Sequence, residues 1–420
     1  MTENTPAPQT GKTDIPAALA ALRAGKPVLV ADNEDRENEG DAIISAALAG
    51  PEWIAWMVRH TSGYLCAPMP GSLADRLRLP FMTMHSQDPN QTAYTISVDA
   101  TDRRSTGISA AERAHTINVL ASPEATFESV IRPGHVLPLR AREGGVLERG
   151  GHTEAAVDLM RLAGLYPVGC LAEMVHDDGT MVRYPDLVKI GETEGLAVIT
   201  VAQIAQWRRE HPEQGTPDSD PEANRVSFDV EAELPTSHGD FLVRGYHDGR
   251  TGAEHVALVS KHSVEGVPLV RVHSECLTGE AFGSLRCECG PQLQASLERI
   301  AREGGAVIYL RGHEGRGIGL LDKLRAYKLQ DGGLDTVDAN LALGHQSDER
   351  EYGSAAAILH DLGMERIRLL SNNPDKTRAL EAHGITVTEQ VPLVVGTNAV
   401  NQHYLETKRD RMGHLLPQDL

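Results

Sequence analysis

The stretch AVIYLRGHEGRGIGLLDKLRAYKLQD (306–331) joins a strand pattern, a glycine-rich loop and a helix pattern. Residues 306–311 are a short apolar run and predict a buried strand. GHEGRG (312–317) predicts a tight loop, and residues 318–331 predict an amphipathic helix. The order helix, strand, helix returns in residues 354–363, 366–374 and 375–384. This alternation indicates an α/β fold for the second half of the chain.

The first half shows the same alternation around different motifs. PVLVAD (27–32) predicts a short buried strand that runs into an acidic loop, and HTEAAVDLMRLAGL (152–165) predicts a helix with one apolar face. RREHPEQGTPDSDPEANR (208–225) is polar and lacks apolar periodicity, so we interpret residues 208–224 as a linker. We therefore predict two different mixed α/β domains, residues 1–207 and residues 225–420.

Length and composition limit the possible classes of protein. A chain of 420 residues is long enough for two domains of about 200 residues each. It has no run of roughly 18 apolar residues, and its N-terminus lacks the pattern of a secretory signal. Five cysteines, three of them clustered, favour a reducing compartment, so we expect a cytoplasmic protein that does not interact with membranes.

The net charge of −19 argues against nucleic acid as a partner, because phosphate backbones select basic surfaces. Residues 1–210 hold 27 acidic against 19 basic side chains, and the remainder holds 32 against 21. Neither half is basic. A small anionic ligand remains compatible with this charge wherever local Arg, Lys and metal charges outweigh the screened distant field.

Three cysteines form the most specific motif of the chain. RVHSECLTGEAFGSLRCECG (271–290) places Cys276, Cys287 and Cys289 in a C-x(10)-C-x-C spacing. Three thiolates leave a fourth tetrahedral position open for water, as in catalytic zinc sites. The competing interpretation is reduced cysteines packed as small hydrophobes. A C-x-C pair flanked by charges fits poorly in an apolar core, so we predict a zinc site.

The acidic loop ADNEDRENEGD (31–41) brings six carboxylates within ten residues. Carboxylates this close repel one another unless they are solvated or neutralised by a divalent cation. The glycine of the loop does not lie at the position that an EF-hand requires. A solvated loop is the alternative. The loop follows a buried strand, where open α/β folds place their sites, and Arg36 within it suggests a phosphate contact beside a metal.

A second group of polar residues accompanies the helix start near residue 152. His135, Arg149, His152 and Thr153 lie among glycines in residues 132–159. A helix N-terminus binds phosphate through backbone N–H groups, and an adjacent arginine adds a bidentate donor. With Glu37, His152 would complete an oxygen-rich Mg²⁺ or Mn²⁺ site.

DRENEGD (35–41), TGISAAERAHT (106–116) and GGHTEAAVDL (150–159) resemble 3,4-dihydroxy-2-butanone 4-phosphate synthase across about residues 12–207. The resemblance implies conversion of D-ribulose 5-phosphate to L-3,4-dihydroxy-2-butanone 4-phosphate and formate. It implies metal ligation by Glu37 and His152, with Glu39 and Asp41 alongside. It also implies catalytic roles for His135, Glu173 and Cys66, and substrate contacts from Arg36, Glu37, Asp41, Arg149, Gly150, Gly151, His152, Thr153 and Glu173.

From about Arg225 the chain resembles GTP cyclohydrolase II, through the cysteine motif, HEGRGIGL (313–320), DERE (348–351) and SNNPDK (371–376). The resemblance implies hydrolysis of GTP to 2,5-diamino-6-ribosylamino-4(3H)-pyrimidinone 5′-phosphate with loss of formate and pyrophosphate. Zn²⁺ on the three cysteines would activate a water for attack on C8 of the purine, and Mg²⁺ would accompany the phosphates.

The same resemblance implies individual roles in the second half. Tyr327 would assist at the zinc-bound water, and Asp348 would accept a proton. Arg350 would act at the α-phosphate, where its high pKa makes charge stabilisation a more reasonable role than nucleophilic attack. GTP contacts are implied for Arg271, Val272, His273, Ser274, Glu275, Gln292, Glu314, Gly315, Arg316, Thr336, Ser371 and Lys376.

Three hypotheses of different classes follow. The first is a bifunctional enzyme of riboflavin biosynthesis, acting on two small molecules and assembled as a homodimer, as the resemblance implies. The second is an enzyme in which only the GTP cyclohydrolase II half is active and the N-terminal half is a silent scaffold. The third is a non-enzymatic zinc module that binds nucleotide or nucleic acid, which the acidic charge disfavours. We favour the first because each half keeps its expected acids, bases and metal ligands.

Overall fold

The computed structural model describes residues 13–83, 86–212, 225–264 and 266–417. The chain divides into two compact units, Met1–Asn224 with Gly249–Gly252 and Arg225–Asp248 with Ala253–Leu420. Each unit contains a mixed sheet with helices, which confirms the predicted pair of α/β folds. A helix that ends at Glu210 includes the first three residues of the predicted linker, and residues 213–224 lie outside the described residues.

The first unit is built on one sheet of parallel and antiparallel strands. Its strands are β1 (Val28–Ala31), β2 (Gly40–Ser45), β3 (Cys66–Pro70), β4 (Val98–Ala100), β5 (Val130–Ala141), β6 (Gly169–Glu173) and β7 (Ala197–Thr200). Their order is β4-β5-β3-β6-β2-β1-β7. Its helices are α1 (Ile15–Arg23), α2 (Pro51–His60), α3 (Gly71–Arg76), α4 (Ala110–Leu120), α5 (His152–Leu162), α6 (Tyr184–Glu194) and α7 (Val201–Glu210).

Both faces of this sheet are covered. In β2, Ile43 joins a core with Ala155 and Leu159 of α5, whereas Ala42 and Ile44 join the core on the opposite face. Successive strand side chains point to opposite faces, so a strand buried on both sides reads as a continuous apolar run. That is why the sequence signal of β1 and β2 is a run and not an alternation.

The second unit combines an antiparallel and a parallel part in one sheet. Its strands are β8 (Val226–Thr236), β9 (Gly239–Asp248), β10 (Glu254–Ser260), β11 (Leu269–Ser274), β12 (Gly305–Leu310), β13 (Arg366–Leu370) and β14 (Thr386–Val391), in the order β14-β13-β11-β12-β10-β9-β8. Its helices are α8 (Leu277–Glu280), α9 (Cys289–Glu303), α10 (Leu320–Asp331), α11 (Thr336–Ala342), α12 (Gly353–Asp361), α13 (Pro374–Ala382) and α14 (Gln402–Met412).

The parallel strands of the second unit determine where its polar loops meet. β11 pairs in parallel with both β12 and β13, so the carboxyl ends of all three strands lie at one edge of the sheet. The segments that leave these ends begin at Glu275, Arg311 and Ser371. In open α/β sheets such an edge is where ligands bind.

The predicted elements agree with the described ones to within four residues. β1 occupies the predicted strand 27–32, α5 lies inside the predicted helix 152–165, and β12, α10, α12, β13 and α13 occupy the predicted segments between residues 306 and 384. Among the described residues, no helix combines the length and apolar character needed to cross a membrane.

Candidate active sites

The buried side chain of Asp32 accepts hydrogen bonds from several residues of the acidic loop between β1 and β2. One of its oxygens accepts the backbone N–H of Glu39 (2.9 Å), and the other accepts the backbone N–H of Glu37 (3.1 Å) and Nη1 of Arg36 (3.0 Å). Its carboxylate is buried. These hydrogen bonds fix the conformation of the loop and the position of Glu37. The sequence pattern alone did not predict this role of Asp32.

His152 opens α5 and faces two carboxylates. Its Nε2 lies 3.1 Å from the carbonyl oxygen of Val30, which only accepts, so Nε2 carries the proton in the neutral ring. Nδ1 lies 3.5 Å from Asp41 Oδ1 and 3.7 Å from Glu37 Oε2. In the protonated ring Nδ1–H points at these carboxylates, whereas a bound cation would take the place of that proton. Asp41 Oδ1 is buried and accepts no hydrogen bond within the described part of the chain.

This arrangement has the donor set of a hard divalent cation. Ligand atoms of Asp32, Glu37 and His152 lie within 4.8 Å of one another. Burial raises the pKa of Asp41 to about 7, and the hydrogen bond from His152 lowers that of Glu37 to about 2. Burial alone would lower the pKa of His152, but the charge of Asp41 and contact with Glu37 raise it to about 9. A cation would relieve the charge that drives these shifts.

Strand register brings two further predicted residues to the same side of the sheet. Cys66 pairs with Leu137 of β5 and Leu171 of β6, and these three side chains share the core beneath α5. Glu173 lies two residues after Leu171, so alternation directs it to the same face. His135 lies in the irregular part of β5 between Ile131 and Val136. Burial raises the pKa of the Cys66 thiol, which keeps it protonated.

The two proton-transfer candidates are each held by a neighbour. Asp99, whose side chain is fully buried, accepts the backbone N–H of His135 (2.9 Å) and lies 2.8 Å from its Nδ1. When Nδ1 donates to this carboxylate, Nε2 of His135 is left to exchange a proton. Ser62 donates its hydroxyl to Glu173 (2.6 Å), which itself pairs with Asp41 across β2 and β6. No sequence pattern pointed to Asp99 or Ser62.

Two arginines converge where α5 begins. A methyl group on Gly151, the residue before the helix, would lie 2.5 Å from Nη1 of Arg149 and 3.0 Å from Nη2 of Arg36. Thr153 is buried in the first turn, and a methyl group on Gly150 would meet no atom within 4 Å. Two guanidinium groups at a helix N-terminus suit a phosphate.

A loop from another part of the chain completes this first site. Arg149 donates Nε and Nη2 to the carbonyl oxygen of Asn90 (3.1 and 3.0 Å), and Nη2 also donates to Thr92. Asn90 in turn donates its amide to Glu37 (2.9 Å), and Arg183 donates to the backbone carbonyl of Glu37 (2.8 Å). These contacts join residues that are far apart in the sequence, so no local sequence pattern predicts them.

In the second unit the three predicted zinc ligands meet. The sulfur atoms of Cys276 and Cys287 are 3.7 Å apart, and those of all three cysteines lie within 4.8 Å of one another. Zn–S bonds of about 2.3 Å in a tetrahedron require sulfur separations of about 3.8 Å. A methyl group on Gly279 would lie 2.8 and 3.1 Å from two of these sulfurs, so the glycine leaves the space in which the thiolates gather.

A buried ion pair adjoins the thiolates. Lys323 donates to the sulfur of Cys276 (3.1 Å) and pairs with Glu314, whose second oxygen accepts the backbone N–H of Leu277 (2.7 Å). The neighbouring thiols and then the Lys323 ammonium lower the pKa of Cys276, which favours its thiolate. Tyr327 lies one turn after Lys323, with its hydroxyl 3.2 Å from that of Thr278. In DKLRAY, Lys323 and Tyr327 are four residues apart and lie on one face of a helix. This spacing could have identified Lys323 as a residue of the site.

The thiolates line an open cavity that also collects most of the predicted nucleotide residues. Val272 and Asp348 do not line it. Val272 is buried, and its carbonyl oxygen accepts Nζ of Lys376 (2.7 Å). The predicted residues that line the cavity are Arg271, His273, Ser274, Glu275, Cys276, Cys287, Cys289, Gln292, Glu314, Gly315, Arg316, Tyr327, Thr336, Arg350, Ser371 and Lys376.

Asp348 and Arg350 form a tight pair. Arg350 donates Nε (2.9 Å) and Nη2 (2.5 Å) to the two oxygens of Asp348. Burial would raise the pKa of Asp348, but this guanidinium lowers it overall, so the carboxylate is a weak base while the pair is intact. The expectation that both side chains share one face agrees with this contact, although DERE is not a strand in the structure.

Two predicted nucleotide residues are neutral or restrained by their neighbours. His273 is buried and lies 2.9 Å from Glu280, and burial lowers its pKa to about 4. Arg271 donates to the carbonyl oxygen of Leu370 (2.9 Å) and to the side chain of Gln292 (2.7 Å). Gln292 is therefore oriented before any ligand binds.

Known proteins resemble the chain over nearly its whole length. Family models match residues 16–207 as 3,4-dihydroxy-2-butanone 4-phosphate synthase and residues 227–392 as GTP cyclohydrolase II. Riboflavin biosynthesis protein RibBA of Salinispora arenicola is 56% identical over 407 residues, 96% of this chain and 94% of that protein. Its counterpart in Nocardia farcinica is 54% identical over 404 residues, covering 95% of each chain.

Solved structures also match the first unit. One described as 3,4-dihydroxy-2-butanone 4-phosphate synthase in complex with two magnesium ions is 42% identical to this chain. It covers 47% of this chain and 98% of its own, with a TM-score of 0.46.

Proposed function

The chain belongs to the family of bifunctional riboflavin-biosynthesis enzymes that join a 3,4-dihydroxy-2-butanone 4-phosphate synthase domain to a GTP cyclohydrolase II domain, and from that premise we propose which residues carry each activity. It is accordingly a lyase and a hydrolase in one polypeptide. The observation that carries the assignment of residues is that each unit gathers its own ligand cluster beside the residues expected to bind its substrate. We assign residues 1–207 to the synthase, 208–224 to a linker and 225–420 to the cyclohydrolase.

In the first unit, Glu37 and His152 would hold Mg²⁺ or Mn²⁺, with Asp41 and Glu39 alongside. The proposal is supported by the unpartnered Asp41 oxygen and by His152 Nδ1, which lies 3.5 Å from it and would offer a lone pair once a cation displaces its proton. The ion, when bound, supplies a Lewis acid for adjacent sugar oxygens. Arg36, Arg149 and the start of α5 bind the phosphate of D-ribulose 5-phosphate.

Proton transfer in the first unit falls to His135 and Glu173. Asp99 orients His135 so that its Nε2 exchanges the proton, and Ser62 orients the carboxylate of Glu173. Enolisation of a sugar ketone needs a base near the C–H bond and an acid near the oxygen, and these two groups are the candidates for those roles. Cys66, a protonated and buried thiol, shapes the base of this site.

In the second unit, Cys276, Cys287 and Cys289 hold Zn²⁺, which when bound supplies a Lewis acid beside the purine of GTP. The support is the sulfur separation of 3.7 Å and the opening of the cluster into the cavity. Gln292, oriented by Arg271, contacts the base, and Tyr327 hydrogen-bonds at the open side of the thiolate cluster. Mg²⁺ accompanies the triphosphate.

Loss of pyrophosphate is assigned to the Asp348–Arg350 pair. Arg350 is a permanent cation that lines the cavity and stabilises charge at the α-phosphate. When Arg350 turns toward the phosphate, Asp348 loses the partner that lowers its pKa and becomes a better proton acceptor. Thr336, Ser371 and Lys376 provide the remaining contacts to the nucleotide.

The remaining proposals concern the location, the oligomeric state and the partners of the enzyme. All five cysteines lie in the described residues and are free, which supports a reducing, cytoplasmic location. The resemblance supports a homodimer, and sedimentation at equilibrium measures it directly. Small molecules are the partners, and the acidic net charge disfavours nucleic acid.

The test uses the pure full-length chain, incubated separately with ribulose 5-phosphate and with GTP in the presence of Mg²⁺, with formate as the measured product of each. We expect formate from both substrates. Cys287→Ser removes zinc and abolishes formate release from GTP only, whereas Glu37→Gln abolishes release from ribulose 5-phosphate only. GTP turnover by zinc-free protein refutes the metal assignment, and formate from GTP alone favours the silent-scaffold alternative.

A further inference from the structure

The C-terminal segment, defined here as residues 401–415, forms part of the cavity wall. It contains α14 and lies beyond residue 392, where the match to the cyclohydrolase family model ends. Tyr404, Lys408 and His414 of this segment line the same cavity as the zinc cysteines. None of the three was identified from sequence, although the i, i+4 spacing of Tyr404 and Lys408 places both on one helix face.

The segment is anchored to elements that carry proposed nucleotide contacts. Arg411 pairs with Asp335 and Asp338, at the start of α11, where Thr336 is the first helical residue. The backbone N–H of Leu415 donates to the carbonyl oxygen of Asn372 (2.8 Å). The C-terminal segment is therefore held against two sides of the cavity.

Lys408 connects this wall to the cysteine motif. Its side chain is 12% exposed, and Nζ donates to the buried carboxylate of Glu288 at 2.5 Å. Glu288 lies between Cys287 and Cys289 in sequence and also lines the cavity. An ammonium group has three N–H donors, and Glu288 is the one hydrogen-bond acceptor of Lys408 among the described residues.

The cavity wall carries an excess of positive charge. Seven cationic side chains line it within the described part of the chain, against three carboxylates. Burial and then the charges of Lys408, Arg316, Arg350 and Lys376 lower the pKa of His414 to about 2. Basic side chains in excess of the carboxylates that line the same wall suit a polyanion.

We propose that the C-terminal segment is part of the nucleotide site and that Lys408 binds the phosphate groups of GTP while it holds Glu288 in place. The inference deepens the proposed function, since it assigns a further binding residue to the cyclohydrolase site. Besides Glu288, the Lys408 ammonium contacts the ring of Tyr404, with Nζ 4.6 Å from the ring centre. Neither contact uses all three N–H donors, and a ligand phosphate supplies further acceptors.

The experiment compares full-length Lys408→Met with Arg409→Met, a neighbouring cation of α14 that pairs with Asp410 and does not line the cavity. Formate release from GTP gives KM and kcat, and zinc content and ribulose 5-phosphate turnover report the integrity of each unit. We expect Lys408→Met to raise the KM for GTP about 30-fold or more, with zinc retained and the synthase activity unchanged. Arg409→Met changes KM less than about twofold, and Lys408→Arg restores part of the affinity.

A second comparison separates phosphate binding from simple neutralisation of Glu288. In a Glu288→Gln background the carboxylate charge is gone, so a lysine that only neutralised it becomes dispensable. We expect Lys408→Met to raise KM by a similar factor in that background. An unchanged KM in either background overturns the proposal. If wild-type protein releases no formate from GTP, the proposed function fails first, and direct binding of GTP to the two variants still tests the role of Lys408.

Discussion

The second unit should lose stability steeply in mild acid, because three histidines in its cavity wall are held neutral. The pKa is lowered from an ordinary 6.5 to about 4 for His273, about 3 for His313 and about 2 for His414. Burial is the first cause in each case. The charge of Arg271 adds to it at His273, that of Arg350 at His313 and that of Lys408 at His414.

The direction and magnitude of this change in stability follow from the difference in proton binding between the folded and the unfolded chain. The unfolded chain binds protons at these histidines as the pH falls below 6.5, while the folded chain does not, so stability present above pH 6.5 is lost as the pH decreases. Each fully linked histidine costs about 1.4 kcal/mol per pH unit. His273 is 2% exposed and contributes about 2 kcal/mol between pH 6.5 and 5.0. His313 and His414 are partly exposed, so screening reduces their share and the total lies between about 2 and 6 kcal/mol.

Hydrogen exchange measured by mass spectrometry on the full-length, zinc-supplemented chain gives this stability from the slowest amides of β11 and β12. The three tryptophans, Trp53, Trp56 and Trp207, all belong to the first unit, so their fluorescence reports that unit separately. The variant His273→Gln should flatten the dependence by about 1.4 kcal/mol per pH unit between pH 6.5 and 5. An unchanged slope in this variant would refute the reasoning.

Three further outcomes are expected. Gly151→Ala places a methyl group against the two guanidinium groups at the start of α5, so KM for ribulose 5-phosphate should rise about tenfold without effect on GTP turnover. Asp99→Asn removes the carboxylate that orients His135, so kcat of the synthase should fall about 10²-fold or more with KM nearly constant, and its pH profile should shift. Asp248→Asn leaves the buried guanidinium of Arg225 less compensated, so urea unfolding of the second unit should show a loss of about 3 kcal/mol.

Local patterns were sufficient for the elements but not for their assembly. The run at residues 306–311 and the periodicity at residues 318–331 depend on neighbours in sequence, and the structure reproduces both as β12 and α10. The sheet orders depend on pairings between distant segments, such as that of β3 with both β5 and β6. No pattern within one segment encodes those pairings.

The residues of the candidate sites divide in the same way, into those that a local sequence pattern predicts and those that only contacts between distant segments bring together. The sequence predicted both ligand clusters, because the cysteine spacing, the acidic loop and the helix start are local. It missed Asn90 and Lys408, which reach their sites from separate loops or helices. The side chain of Val272, a predicted nucleotide contact, lies in the core, whereas those of Arg271 and His273 line the cavity, as strand alternation requires.

The pairing of Asp41 with Glu173 across β2 and β6 makes folding and chemistry inseparable in the first unit. A slip of one residue between these strands would turn one of the two carboxylates to the opposite face and bring an apolar neighbour into its place. Substitutions that loosen this strand pair, even at positions remote from any ligand, would therefore produce enzyme that is folded by bulk spectroscopy yet inert toward the pentulose. Assays of such variants need a count of competent sites before a lowered rate is attributed to chemistry.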